Sequence, residues 1–392
     1  MNSKWEYRKI GDVCIVERGG SPRPIDQYIT NDANGINWIK IGDTSESMYI
    51  TETAQKIKPE GMKKSRYVQP GDFLLSNSMS FGRPYILKTD GCIHDGWLVL
   101  RDKNGFFDKR FLYYYLSAKP TYEKFKMIAV GGVVNNLNSE MVRKISVPVP
   151  CKAEQIEIAN LLDIVNRIIL KRKQTLQKLD ELVKARFVEM FGDCVLNTKS
   201  WNTKRLGDIA DVGSSKRVFV EDLKEKGIPF YRGTEIGALA EGKTVVPELF
   251  ISEEHYSELC KATGFPQVGD FLMPSICPDG RIWIVNTSEP FYFKDGRVLW
   301  VHAINNSYNP VFLLHTLKDR IMTDYSSIAS GTTFAELKIF ALKECRIFDV
   351  PLELQNQFAA FVHQVDKSKV AVQKSLDEAQ LLFDSLMQQY FG

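Results

Sequence analysis

The sequence predicts mixed α/β (α+β) globular domains in tandem repeat, each followed by a long α-helix, with the two helices pairing as an antiparallel coiled coil. Three observations lead there. The chain is written twice: Trp5-Glu6-Tyr7-Arg8-Lys9-Ile10-Gly11-Asp12 returns as Trp201-Asn202-Thr203-Lys204-Arg205-Leu206-Gly207-Asp208 at an offset of 196 residues, Gln69-x-Gly71-Asp72-Phe73-Leu74 returns from Gln267 at 198, and Phe191-Gly192 returns as Phe391-Gly392 at 200. So small a drift means two similar folded units with insertions confined to loops. Each copy then carries short apolar runs bounded by Gly, Asp and Asn, the pattern of strands. Each closes with about 40 residues whose apolar side chains alternate steps of four and three, the seam of a coiled coil.

The elements follow in order. Asn37–Ile41, Asp72–Leu75 and Gly96–Leu100 are strand-length and rich in β-branched or aromatic residues. Lys109 to Met127 is long enough for one helix that turns Phe111, Leu112, Tyr115 and Leu116 inward. From Ile158 the first seam runs through Leu162, Val165, Ile169, Arg172, Leu176, Leu179, Val183, Arg186 and Met190; the second runs from Phe358 through Val362, Val365, Lys369, Val372, Leu376, Ala379, Phe383, Leu386 and Tyr390. Pro148, Pro150 and Pro351 stand just upstream, where a helix can begin but not continue backwards. The expected division is therefore 1–150, 151–193, 194–350 and 351–392. A stripe about 60 Å long, at 1.5 Å per residue, exceeds what one globule covers, so the other copy's helix is the expected partner.

Composition excludes several classes. Hydrophobic content of 44% with 25% charged residues is that of a globular chain. No apolar run approaches the roughly 18 residues of a membrane-spanning helix and Met1-Asn2-Ser3-Lys4 opens no signal peptide, so the expected location is the cytoplasm, away from any membrane. Seven cysteines, with no Cys-x-x-Cys pair, predict buried free thiols. The five histidines show no paired metal spacing. A formal net charge of +3 does not announce nucleic acid, so any basic surface must be local.

The order of globule, long helix, globule, long helix, with Pro150-Cys151-Lys152-Ala153-Glu154-Gln155 and Pro351-Leu352-Glu353-Leu354-Gln355 at the helix starts, resembles the specificity subunits of type I restriction-modification systems. Gly71-Asp72-Phe73-Leu74-Leu75-Ser76 and Gly269-Asp270-Phe271-Leu272-Met273 are similar to the family's mid-domain strand, and the resemblance covers nearly the whole chain. Cys151 and Leu354 depart from the usual helix-start pattern. The resemblance implies two target-recognition domains, each reading one half of an interrupted, asymmetric site in double-stranded DNA. It implies helices that set the spacing and dock modification (methyltransferase) subunits, with restriction subunits where the system has them. It assigns no catalysis to this chain: S-adenosylmethionine, ATP and Mg would belong to the partner subunits.

Sequence readout needs donors and acceptors at base edges, while Lys and Arg on phosphates set position. Arg83, after Ser76-Asn77-Ser78, and its counterpart Arg281, after Ser275, lie in polar loops between apparent strands. Lys40 and Arg232 sit at matching positions, and Lys63, Lys64 and Arg66 form a basic run. Loops carrying Asn135 and Asn136 in one copy and Thr332 and Thr333 in the other align at an offset of 200 but differ in chemistry, as readers of different half-sites would.

Two other functions compete. Gly237-Ala238-Leu239-Ala240-Glu241-Gly242-Lys243-Thr244 fits the phosphate-loop pattern, but Val245-Val246-Pro247 follows where the mechanism needs a helix. A two-headed scaffold for protein partners would lack a basic surface. Cys92-x-His94-Asp95 offers local adjacency without triad geometry, and no Asn-Pro-Pro-aromatic or Asp-Pro-Pro-aromatic tetrapeptide of an adenine methyltransferase is present.

Overall fold

A computed structural model describes residues 5–77, 82–129, 136–330 and 335–392. The chain divides into two compact units, each drawn from both halves of the sequence: Met1–Gln174 with Gln373–Gly392, and Thr175–Val372. Only the first joins two separate stretches, and both boundaries fall inside the expected helical segments 151–193 and 351–392.

The first unit contains two five-stranded sheets. One has the order Cys14–Arg18, Trp97–Asp102, Phe73–Ser76, Pro84–Leu87 and Tyr49–Ile50. The other has the order Ile29–Thr30, Gln55–Ile57, Ile36–Ile39, Gly91–Ile93 and Arg66–Val68. Tyr7–Lys9 pairs antiparallel with Ser146–Pro148, which brings the start of the globule to the residues that precede the long helix. The second unit repeats the plan with shorter sheets: Asp211–Gly213, Val298–His302, Phe271–Pro274 and Trp283–Ile284 form one, and Phe250–Ile251, Ile228–Tyr231 and Tyr292–Phe293 another. Thr203–Arg205 pairs with Arg346–Phe348 as Tyr7–Lys9 pairs with Ser146–Pro148.

The repeated Gln-x-Gly-Asp motif is a turn into the central strand. Gly71 and Gly269 adopt φ of +92° and +98°, which glycine enters without a Cβ clash. The Asp72 carboxylate accepts the Gln69 N–H at 3.1 Å, and Asp270 accepts the Gln267 N–H at 2.8 Å. Each carboxylate then takes a copy-specific partner, the Arg101 guanidinium at 3.0 Å or the Trp300 indole N–H at 3.0 Å.

Two boundaries differ from the sequence reading. Lys109–Met127 is not one helix: Lys109–Ser117 and Lys119–Ala129 meet at an extended Ala118. Pro120 has no N–H to donate and its ring would clash with the carbonyl one turn back, so it must open a new helix. Phe111, Leu112, Tyr115 and Leu116 are buried as expected. The strand predicted through Ile41 stops at Ile39, because the Asp43 carboxylate accepts the Lys40 N–H at 2.7 Å and starts a 3-10 turn at Ile41–Asp43.

The long helices run Lys152–Phe191 and Leu352–Phe391, 40 residues each. Each is pinned at its start by one glutamine with no solvent exposure. Gln155 Oε1 accepts the Asp108 N–H at 2.8 Å while its amide donates to the carbonyls of Phe106 and Pro150, both at 2.9 Å. Gln355 makes the same three bonds, to the Asn309 N–H at 2.8 Å and to the carbonyls of Ser307 and Val350 at 3.1 and 2.9 Å. The glutamine in the helix-start motif therefore joins the helix to a loop nearly 50 residues away in sequence.

Most seam residues are covered, Arg172 being exposed. In the first unit Val165 and Ile169 pack with Leu376, Ala379, Phe383 and Leu386, and Phe391 lies against Phe111 at 5.5 Å between ring centroids. In the second, Phe187 and Phe191 meet Phe358 at 5.4 and 5.6 Å, and Lys369 reaches Asp180 at 2.6 Å. Within each unit, then, the two helical segments run in opposite directions.

All seven cysteines are free; five are buried, whereas Cys151 is exposed and Cys260 half-buried, contrary to the expectation for all seven. Burial pushes the Cys14, Cys194 and Cys277 thiols up to about 12. Among the described residues no helix is long and apolar enough to cross a membrane, and no group of three or more His, Cys, Asp or Glu could hold a metal ion.

Candidate nucleic-acid interface

In both units a later segment is stitched to the residue that follows the central strand, a few positions before the arginine. Asn77 O accepts the Leu137 N–H at 2.9 Å, and Ser275 O accepts the Leu337 N–H at 2.8 Å. The fold thus brings exposed Asn136 into the neighbourhood of the Arg83 loop from a distant part of the sequence. Ser78, Asn135, Thr332 and Thr333 lie outside the described residues.

Ser76, Asn77 and Ser275 were expected to reach DNA, but all three are buried. Ser76 Oγ accepts the Arg83 N–H at 2.9 Å, the Asn77 amide donates to Asp95 O at 2.8 Å, and the Ser275 N–H donates to Arg297 O at 2.9 Å. A side chain closed to solvent at the end of a central strand is packed within the fold and is not presented to a duplex.

The two arginines share a position but not an environment. Arg83 is exposed beside a groove of about 590 Å³ that it lines with Glu46, Tyr85, Tyr113 and Tyr122, and among the described residues its guanidinium has no ion pair. Arg281 is closed down: its Nε lies 2.8 Å from Asp279 Oδ2, its Nη1 3.7 Å from Glu241, and the guanidinium rests against Gly237. The groove beside it, about 560 Å³, is lined by Arg232, Arg281, Lys294 and Arg297, each matched to a carboxylate.

Lys40 and Arg232 also match in backbone role. Each N–H donates to an acidic residue three positions on, Asp43 at 2.7 Å and Glu235 at 2.9 Å, at the start of a helical turn. Their side chains are engaged internally, Lys40 with Gln55 Oε1 at 2.8 Å and Arg232 with Glu235 and with Glu248 at 3.1 Å. Burial would raise the Glu235 carboxyl, but hydrogen bonds from Arg232 and Thr234 overcome it and hold the group at about 2. In the basic run, Lys64 donates to Tyr28 at 2.8 Å and Arg66 pairs with Glu17 at 3.3 Å, while Lys63 is exposed.

The phosphate-loop pattern has the wrong geometry. Gly233–Ala240 is already helical, so the pattern occupies the end of a helix where phosphate binding requires the beginning of one. Lys243 is paired with Glu241. In Cys92-x-His94-Asp95 the thiol is buried on a strand, while His94 Nε2 sits 3.0 Å from Asp95 and its Nδ1 accepts the Gly96 N–H at 2.9 Å, a turn and not a nucleophile relay. Asp95, weighed in the sequence only as a triad carboxylate, gathers Ser21, Asn77 and His94. Only its place just beyond a strand end hinted at that role.

A family model described as the type I restriction modification DNA specificity domain matches residues 2–181 and again 198–379. The chain is similar to the type I restriction enzyme MjaIX specificity subunit of Methanocaldococcus jannaschii, at 25% identity over 98% of this chain and 91% of that protein. It is also similar to a putative type I restriction enzyme specificity subunit of Haemophilus influenzae, S.HindORF215P, at 26% identity over 66% of this chain and 64% of the relative. Among solved structures, a chain of a type I R-M system matches with a TM-score of 0.60 at 17% identity, covering 100% of this chain and 98% of that one. The type I S subunit from M. genitalium matches with a TM-score of 0.55 at 16% identity, covering 100% and 97%.

Proposed function

Because the chain belongs to the type I restriction modification DNA specificity family, we propose that it directs a modification complex to an interrupted, asymmetric DNA site, each unit reading one half. The observation that carries this reading is the family domain occurring twice, on two units with one frame and different loop chemistry. Methyl transfer and cleavage fall to partner subunits, which would supply S-adenosylmethionine, ATP and Mg. Mapping methylated bases in a host that expresses the modification partner, with and without this chain, tests it. Chain-dependent methylation of a bipartite, non-palindromic motif is expected; a continuous or palindromic motif would count against two unlike readers.

Arg83 is the leading base contact of the first unit, since its fork is exposed and arginine on guanine is the commonest specific contact. Arg83→Ala should relax one half-site only, with about 1–3 kcal/mol lost there. The paired Arg281 is predicted to matter less, because a base would have to displace Asp279 first.

The helices serve as the spacer in this reading, pairing along their length as an antiparallel coiled coil. The opposed segments within each unit support it. Inserting four residues after Gln174 adds about 6 Å and roughly preserves the helix face. The variant should keep both half-site sequences and accept a gap longer by about one or two base pairs at 3.4 Å each. An unchanged gap at full affinity would show that something other than the helices sets the spacing.

A further inference from the structure

We propose that Arg23 and Arg217 are matched phosphate anchors, one in each unit, that grip the DNA backbone without reading sequence. The inference rests on the DNA-reading function proposed above and adds to it the contacts that position each reader.

Arg23 leaves the sheet in the loop after strand Cys14–Arg18, and Arg217 does so after Asp211–Gly213. Each points toward an aspartate of the opposite loop: Arg23 Nη2 lies 3.5 Å from Asp95 Oδ2 and Arg217 Nε lies 3.7 Å from Asp295 Oδ2. The aspartates are structural equivalents. Asp95 follows Gly91–Ile93, which pairs in parallel with Ile36–Ile39; Asp295 follows Tyr292–Phe293, which pairs in parallel with Ile228–Tyr231. A serine secures each turn, Ser21 Oγ donating to Asp95 at 2.9 Å and Ser214 Oγ accepting the Gly296 N–H at 2.8 Å. One arginine–aspartate arrangement is thus built twice from unlike local sequences, Pro22-Arg23-Pro24 and Lys216-Arg217-Val218, which is why the repeat did not reveal it.

Exposure separates these side chains from the internally paired candidates Arg232 and Arg281. Arg23 is 82% and Arg217 68% exposed, against 45% for Arg232 and 35% for Arg281. A carboxylate at 3.5 Å or more orients the guanidinium, yet a surface ion pair is worth only about 0–1 kcal/mol, so a phosphate can replace it at little cost. Arg83 and Arg281 recur in unlike surroundings, but here the arginine recurs together with its aspartate, which argues for phosphate over base: two readers of different sequences share only what does not depend on sequence, and backbone contacts fix register without carrying it.

The test uses the chain assembled with its modification subunits, as wild type and as Arg23→Ala, Arg217→Ala, Arg23→Lys and Arg217→Lys. Affinity is measured against salt on a duplex carrying the methylated site and on a scrambled duplex. Each alanine variant should weaken both duplexes by the same factor, leave the methylated sequence unchanged, and make the log-affinity against log-salt slope shallower by about 0.9. The lysine variants should restore the slope, because a phosphate accepts a point charge where a base edge wants the planar fork. Altered sequence preference at one half-site would make the arginine a base reader and overturn the proposal, as would unchanged affinity and slope. A wild-type complex without sequence preference would instead overturn the DNA-reading function itself.

Discussion

Phe187→Ala should destabilise the unit formed by Thr175–Val372 by about 3–5 kcal/mol, the cost of emptying a fully packed aromatic site. The ring is 2% exposed and stands where the long helix, the helix Pro310–Ile328 and the start of the second long helix converge, 5.1 Å from Phe191, 6.0 Å from Phe312 and 5.4 Å from Phe358. Truncation removes every one of these contacts at once, and the surrounding elements are too rigid to close the void. The urea midpoint should fall with an unchanged slope. A loss below about 1 kcal/mol would show that the cluster does not hold the helix to its globule. His315 belongs to the same cluster, and burial, reinforced by Lys318 and Lys369, pushes its imidazole from 6.5 down to about 4. Between those values the unfolded chain binds the proton and the native unit does not, so stability present above 6.5 is lost as the pH falls towards 4.

Gln355→Leu is expected to have the second largest effect. Leucine fills similar volume but strands the Asn309 N–H and the carbonyls of Ser307 and Val350, three backbone groups that the amide satisfies. At about 1–3 kcal/mol for each buried group left unpaired, the loss should be roughly 3 kcal/mol or more. Hydrogen exchange localises it: amides at 352–358 and 307–309 should lose protection while those near 380 keep theirs. Gln155→Leu repeats the experiment in the other unit, at Asp108, Phe106 and Pro150. Uniform protection in both variants would mean that the glutamines do not fasten the helices.

These two residues show where sequence stops being legible. The glutamines stood out by recurring after a proline, but two of the three partners of each lie nearly 50 residues upstream, and only the folded backbone turns those groups toward them. The seam was readable because a period of 3.5 needs no knowledge of distant contacts. The unit boundary was not, since Val165 and Ile169 belong to one compact unit with residues near 380. Pro120 could have divided the helix at Lys119 on local chemistry alone. The equivalence of the two loop arginines was legible, but their surroundings were not. Arg83 and Arg281 carry the same letter at equivalent places, yet Asp279 and Glu241 occupy only the second, and nothing in the spacing says which carboxylate will swing onto which guanidinium. Ser76, Asn77 and Ser275 read as polar loop, but they are buried at the ends of central strands, where neighbouring backbone takes the hydrogen bonds of the Ser76 hydroxyl, the Asn77 amide and the Ser275 N–H.

One contact bears on how such a chain can be ordered. Trp5 meets the Phe111 ring at 6.0 Å and Phe391 meets the same ring at 5.5 Å, so residues at opposite extremes of the numbering are separated by a single side chain. In the other unit the matching pair is Trp201 and Phe191, where the indole N–H donates to the Phe191 carbonyl at 3.0 Å and a short loop joins the two covalently. A linker as short as residues 192–200 would therefore close the polypeptide into a ring, and reopening that ring within 193–200 would exchange first and second domain while leaving the core packing of each unit in place. Precedence along the chain is a property of where the backbone happens to be cut, and circular permutation is a symmetry that this architecture already contains.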